Sequence, residues 1–231
     1  MDKNLINKNK EKKITITKEI LDKLPEFSMF AYKFEMDVCE SEEKIREKIK
    51  ELDEFYQKKS LEEVINLECI KEGRDAYKLL GKDPSRYRIA CESLLRRLSK
   101  GNGLYYINNA VDLGNVLSIE LNRSTAVLDY DKVIGDVRIR RGKETDIYEG
   151  IGRGIINVTN IPLYCDEVSP FGSPTSDTLR TSVDENSKNI LLFVICFSEK
   201  YIDECKKEAY TLYKTLGNAR NFEEIEVIKE S

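Results

Sequence analysis

The sequence predicts a single α+β domain of 231 residues, and three observations carry that expectation. Between residues 42 and 121, apolar residues recur at helical spacing. From Thr125 onward, period-two alternation takes over, punctuated by glycines at 135, 142, 150, 152 and 154. Residues 189–197, NILLFVICF, are apolar on both faces, as in a strand covered on two sides. With 40% hydrophobic residues the chain can bury a substantial core, and neither an internal repeat nor a linker interrupts it.

Taken in order, KITIT (13–17) predicts a short strand. FSMFAYKFEMDV (27–38) predicts a second, with Phe30, Tyr32, Phe34, Met36 and Val38 on one face. Charged helical sequence covers 42–59, and a further helical stretch runs to Leu80, stopped by Gly81. Asp83-Pro84 supplies an N-cap acid and a proline at the first helical position, predicting a helix to about Ser99. On it, Glu92 pairs with Arg88 and Arg96 four residues away. After KGNG (100–103), the spacing predicts a helix from Asn109 to Leu121, with Ala110, Leu113, Val116 and Leu117 on its apolar side. Asn108, Asp112 and Asn115 recur on another side, where such groups either tie down neighbouring loops or line a polar pocket. Strands follow within 126–131, 133–144, 145–150 and 155–169. Ser198 is placed to cap an amphipathic helix that Gly217 ends, and FEEIEVIKES (222–231) reads as a short strand or tail.

Composition excludes several chemistries. The opening MDKNLINKNKEKK is polar and cationic, and the longest apolar run, 190–197, is far short of the ~20 residues of a membrane helix. A soluble cytoplasmic protein with no membrane contact is expected. Six scattered cysteines without a CxxC pair read as free thiols, and the absence of histidine removes imidazole bases and imidazole zinc sites. No metal and no cofactor is therefore expected. The net charge of −4 gives no global case for nucleic acid. Locally, Arg86, Arg88, Arg96, Arg97 and Lys100 face one acid, Glu92, and RIRRGK (138–143) carries four cations and no acid. Each cluster is either a solvated face or a phosphate grip. PFGSPTSDTLRT (170–181) gathers five Ser or Thr hydroxyls. It is either a turn in which Asp177 and Arg180 hydrogen-bond locally or the wall of a pocket.

INNAVDLGN (107–115), LDYDKVIGDVRIRRGKE (128–144), FGSPTSD (171–177) and NILL (189–192), in this succession, resemble the B3/B4 domain of the phenylalanyl-tRNA synthetase beta subunit. The resemblance covers roughly residues 81–217. It leaves 1–80 as a strand and helix extension packed on the same domain and 218–231 as a C-terminal tail. It implies a three-layer B3/B4-type fold, with a mixed β-sandwich of unusual topology and flanking helices. It also implies a pocket that hydrolyses the ester between a wrong amino acid and the 3′ end of a tRNA, which would make tRNA the partner. By the same resemblance, Asn115 occupies the family's pocket-asparagine position. Ala126 stands where the family has a pocket histidine, and Ser173-Pro174-Thr175 where it has a glutamate that reads a tyrosine hydroxyl.

An aminoacyl ester is already activated, so such a site needs mainly a held carbonyl, a positioned water and donors to the oxyanion. Backbone N–H groups at Gly172 and Ser173 with the Asn115 amide are the expected donors. The hydroxyls of Ser173, Thr175 and Ser176 are expected to orient water or the substrate amine, and Asp112 to join the substrate-binding set. The terminal ribose hydroxyls are available to assist proton transfer. RNA binding falls to Arg96, Arg97 and Lys100, with Arg138 and Arg140, which share a strand face, as a second set. Two functions fit: a trans-editing hydrolase of mischarged aminoacyl-tRNA, or a non-catalytic module that binds RNA, an amino acid or a protein partner.

Overall fold

Strands that are apolar on both faces need cover on both sides, and the architecture follows from that requirement. The computed structural model describes residues 11–231. The first ten residues, most of the cationic opening segment, lie outside the described residues. The elements run β1 (Ile14–Ile16), α1 (Lys18–Leu21), β2 (Ser28–Glu35), α2 (Glu43–Tyr56), α3 (Leu61–Ile65), α4 (Glu68–Leu79), α5 (Ala90–Leu98), α6 (Asn109–Leu121), β3 (Thr125–Asp129), β4 (Val137–Arg141), β5 (Glu149–Gly150), β6 (Gly154–Ile155), β7 (Pro162–Cys165), β8 (Pro170–Gly172), β9 (Asn189–Cys196), α7 (Ile202–Thr215), β10 (Arg220–Ile225) and β11 (Val227–Lys229).

Two large sheets, a two-stranded β5-β6 sheet and a helical layer result. The first sheet has the order β11-β1-β4-β7-β8 and is mixed, because β1 runs parallel to both its neighbours and the remaining pairs are antiparallel. The second, β10-β2-β9-β3, is antiparallel throughout. Met29 and Ala31 of β2 and Leu191, Phe193 and Ile195 of β9 pack inward, against Ile14, Ile16, Val137, Ile139 and Phe171 of the first sheet. The alternate residues, Phe30, Tyr32 and Phe34 with Ile190, Leu192 and Val194, pack outward on α2, α6 and α7. Register keeps the two sets apart: Phe30 pairs with Val194, Tyr32 with Leu192 and Phe34 with Ile190. A third core joins α2 to α5 with Tyr148, Val158, Ile161 and Leu163. The mixed sandwich with a helical layer agrees with the α+β class that the sequence predicts and with the three layers that the resemblance implies.

Three local expectations differ. The helix placed from Asp83 begins only at Ala90, because Asp83 closes a single turn: its Oδ1 accepts from the Ser85 N–H and its carbonyl from Arg86 and Tyr87. Ser198 does not cap α7; its hydroxyl donates to Glu72 at 2.8 Å, and the helix starts after Tyr201, which holds φ +60°. Of the two readings of the C-terminal segment the strand holds and the tail does not, since β10 and β11 form one outer strand in each of the two large sheets. β1 and β2, from the N-terminal third, are inner strands. No helix among the described residues is long and apolar enough to cross a membrane.

A chain ending at Gly217 would lose an outer strand from both sheets and uncover β1 and β2. It should lose its cooperative urea transition or aggregate. A soluble truncated protein with an unchanged midpoint would contradict this account of the layers.

Candidate functional site

Gly114 fixes where α6 lies. A Cβ there would stand 2.3 Å from Val127 Cγ2 and 3.2 Å from the Tyr213 hydroxyl, so only glycine lets the helix rest this closely on β3. The Thr125 hydroxyl donates to the Gly114 carbonyl at 2.9 Å and holds the contact. Asn115, the next residue, is half-buried and lies on the wall of a cavity of about 290 Å³ between α6, β3 and residues 177–183. Most of the wall is apolar, from Ile107, Val111, Val127, Leu128, Ile151, Leu179 and Val183. Its polar groups are Asn115, Thr125, Asp177 and Ser182. A mostly apolar cavity with a few convergent polar groups is the usual form of a small-ligand site, here at the small end of the range.

The polar stripe of α6 divides three ways. Asn108 caps the helix, accepting from the Val111 N–H at 2.9 Å. Asp112 is fully buried, accepting from the Ser41 hydroxyl at 2.6 Å and the Ile107 N–H at 2.9 Å. Burial raises its carboxyl above the ordinary range, opposed by those two bonds. Asp112 thus ties down the loop before the helix and is absent from the cavity wall; of the stripe, Asn115 alone reaches the cavity.

The hydroxyls of the 170–181 loop face inward. Ser173 Oγ donates to the Ser176 carbonyl at 2.9 Å and accepts from the Thr175 and Ser176 N–H groups. The Ser173 N–H also donates to the Ser176 carbonyl, so it is not free for an oxyanion. Thr175 Oγ1 meets the Tyr77 hydroxyl at 2.8 Å, the Tyr148 hydroxyl donates to the Ser176 carbonyl, and the Pro174 carbonyl accepts from the Ala90 N–H. Gly172, Ser173, Thr175 and Ser176 therefore shape the loop from within, and none lines the cavity.

What the loop does present is Asp177. Its backbone carbonyl accepts from the Ile151 N–H, the residue lines the cavity, and Oδ1 is buried without a hydrogen-bond partner. Burial pushes this carboxyl up to about 7, with the Ser173 backbone opposing the shift. Gly172 makes the room, since a Cβ there would lie 2.7 Å from Asp177 Oδ1 and 2.5 Å from the Tyr164 ring. The local Asp177–Arg180 pair does not form. Arg180 instead grips Asp166 through two bonds of 3.0 and 2.8 Å.

The two basic clusters differ. Arg86, Arg88, Arg96, Arg97 and Lys100 line one open depression together with Arg153. Beneath it Glu92 is fully buried, 2.8 Å from Arg74, 3.5 Å from Arg96 and 4.0 Å from Arg88. Arg97 clasps the following loop through the Gly103 and Asn102 carbonyls. Arg138 and Arg140 do share a strand face, but Glu230 pairs with the first at 2.8 Å and Asp146 holds the second through two bonds of 2.8 Å. Two of the four cations in the RIRRGK run are thus paired with acids, whereas the depression gathers its cations in one place.

The B3/4 domain family profile matches residues 72–214. The chain belongs to the B3/4 domain family. It is 33% identical over 94 residues to the phenylalanine–tRNA ligase beta subunit of Bartonella quintana, covering 39% of this chain and 11% of that protein. To the corresponding subunit of Fusobacterium nucleatum it is 27% identical over 117 residues, covering 49% and 14%. The matches thus span roughly a tenth of these relatives' length. In fold, the chain is similar to an N-terminal fragment of the phenylalanyl-tRNA synthetase beta-subunit from Pyrococcus horikoshii. The TM-score is 0.53 at 10% identity, over 96% of this chain and 53% of that one.

In this B3/4 chain, Asp177 is the site group that sequence reasoning assigned to a local turn. The signal that could have found it is that it is the single acid in a loop otherwise made of hydroxyls, prolines, apolar residues, one glycine and one arginine. A carboxyl whose folded value is raised stabilises fully while protonated in both states, and that contribution is lost as pH rises through about 7. Asp177→Asn should therefore melt higher than the parent by an amount that grows from about pH 4 to 7, reaching roughly 10 °C, and then levels off. A pH-independent difference would contradict the burial of this charge.

Proposed function

We propose that the cavity receives the aminoacylated 3′ end of a tRNA and that the protein is a trans-editing hydrolase, removing the amino acid from mischarged aminoacyl-tRNA. The observation that carries this reading is the meeting of Asn115 and Asp177 on one mostly apolar wall. Membership of a family found in phenylalanine–tRNA ligase beta subunits supports it from the other side. The same reading places the protein in the cytoplasm, where tRNA is charged.

The chemistry follows from two groups. Asp177, as carboxylate, takes a proton from water as the water oxygen bonds to the ester carbonyl carbon. The Asn115 amide donates to the oxyanion that develops on the carbonyl oxygen. The carbon–oxygen bond to the ribose then breaks, and the proton held by Asp177 passes to the departing ribose oxygen. Water is consumed, and a free amino acid and an uncharged tRNA are formed. The apolar wall favours an uncharged side chain on the amino acid.

A second reading, a non-catalytic module for RNA, an amino acid or a protein partner, is favoured by one observation. The Ser173, Thr175 and Ser176 hydroxyls are all engaged within the protein and so contribute nothing to a reaction.

Deacylation of a panel of correctly and incorrectly charged tRNAs separates the two. A hydrolase of this kind should release one class of amino acid, at a rate rising with pH through about 7. Asp177→Asn should abolish that pH limb, and Asn115→Ala should lower the rate ~100-fold while both variants remain folded. Binding without turnover on every member of the panel would leave the non-catalytic module.

A further inference from the structure

Between the basic depression and the cavity lies a strip whose composition neither the core nor the proposed hydrolysis explains. Tyr105, Tyr106 and Ile107 are consecutive and 68%, 50% and 61% exposed. Exposed tyrosines side by side are a departure from the usual solvated loop. These two rings are also fixed in place. The Arg97 guanidinium lies 3.9 Å from the Tyr105 ring centre and is itself held by two backbone carbonyls. The Arg46 guanidinium lies 5.0 Å from the Tyr106 ring and is anchored to the Ser41 carbonyl. Each ring thus has a cation against one face, with much of its surface left open to solvent. The buried Asp112 holds the same loop from below through the Ile107 N–H.

The strip also joins two features. Its N-terminal flank, Asn102, lines the basic depression, and its last residue, Ile107, lines the cavity. A second segment makes the same connection, because Arg153 lines the depression and Ile151 the cavity. Both segments thus reach from the depression to the cavity, and a ligand spanning the two has them alongside. Of the cations in the depression, Arg86, Lys100 and Arg153 form no ion pair among the described residues, so charge there is available to an anionic chain.

Resting on the cavity as the site of a tRNA end, we infer that Tyr105 and Tyr106 form a stacking platform for the unpaired nucleotides of that end. The phosphates of those nucleotides lie along Arg86, Lys100 and Arg153. Aromatic rings beside a cationic groove are the common means of holding single-stranded RNA, because every base has a face to stack and every phosphate a charge. Guanidinium groups behind the rings fix their orientation in advance, so little side-chain freedom is lost on binding.

The test is fluorescence anisotropy with an uncharged, dye-labelled single-stranded RNA 12-mer ending in CCA. Tyr105→Ala and Tyr106→Ala should each weaken binding about tenfold, and the Tyr→Phe variants should bind within about twofold of the parent. The same RNA with abasic sites in its last three positions should bind the parent and the alanine variants alike. Lys100→Ala and Arg153→Ala should weaken every probe and lower the salt slope by about 1 each. Ring-independent binding, or failure of the parent to bind the 12-mer, would overturn the platform. The probe carries no ester, so the result is independent of turnover. An active hydrolase with ring-independent binding removes the platform alone, and an inactive protein with ring-dependent binding removes the hydrolysis alone.

Discussion

Everything else in the structure is arranged around one strand with two dry faces. β9 has seven consecutive residues, Ile190 to Cys196, at 1% exposure or less, and burying such side chains contributes about 1.5–3 kcal/mol each. Covering one face requires the mixed sheet, and covering the other requires α2, α6 and α7. Because β2 and β3 flank β9, their register divides the N-terminal strand and the mid-chain strand between the same two cores. The helix that carries Asn115 can then approach only as far as β3 allows, and Gly114 is what brings it into contact.

The loop opposite Asn115 obeys a different constraint, the need to satisfy buried polar groups. Ser173 and Thr175 are buried, and each hydroxyl bonds within the loop or to a tyrosine beneath it. A loop stiffened from inside in this way can hold Asp177 at the cavity without giving Oδ1 a partner. Leaving a buried carboxyl oxygen unpaired costs stability, and such strain is characteristic of positions that act on a ligand. The hydroxyl-rich stretch is thus a scaffold, and Asp177 is the residue it places on the cavity wall.

Much of the fold was legible in the sequence because local periodicity reports burial directly. The helix at 109–121 and the two-sided strand at 189–196 stand where spacing puts them. The failures share a cause: polar side chains chose partners far along the chain. Ser198 satisfies Glu72 across 126 residues and so leaves α7 uncapped, and Arg180 passes over Asp177 for Asp166. Thr175 meets Tyr77 across 98 residues, a contact no local pattern announces. The C-terminal strands were hard to read for another reason. As outer strands they are mostly exposed, so alternation is weak, and only pairing with β1 and β2 defines them. At the site, Asn115 was legible through resemblance, whereas the inward turn of the loop depended on Tyr77 and Tyr148, from two distant segments.

The proposed chemistry depends on Asp177, a buried carboxyl beside an apolar cavity. The most direct measurement is a side-chain carboxyl carbon-13 NMR titration of the folded protein, with the resonance assigned through Asp177→Asn. A midpoint near 7 is the result expected from its burial. A midpoint near 4, the ordinary range for an aspartate, would mean the carboxyl is solvated, and the cavity would then lack the base assigned to it.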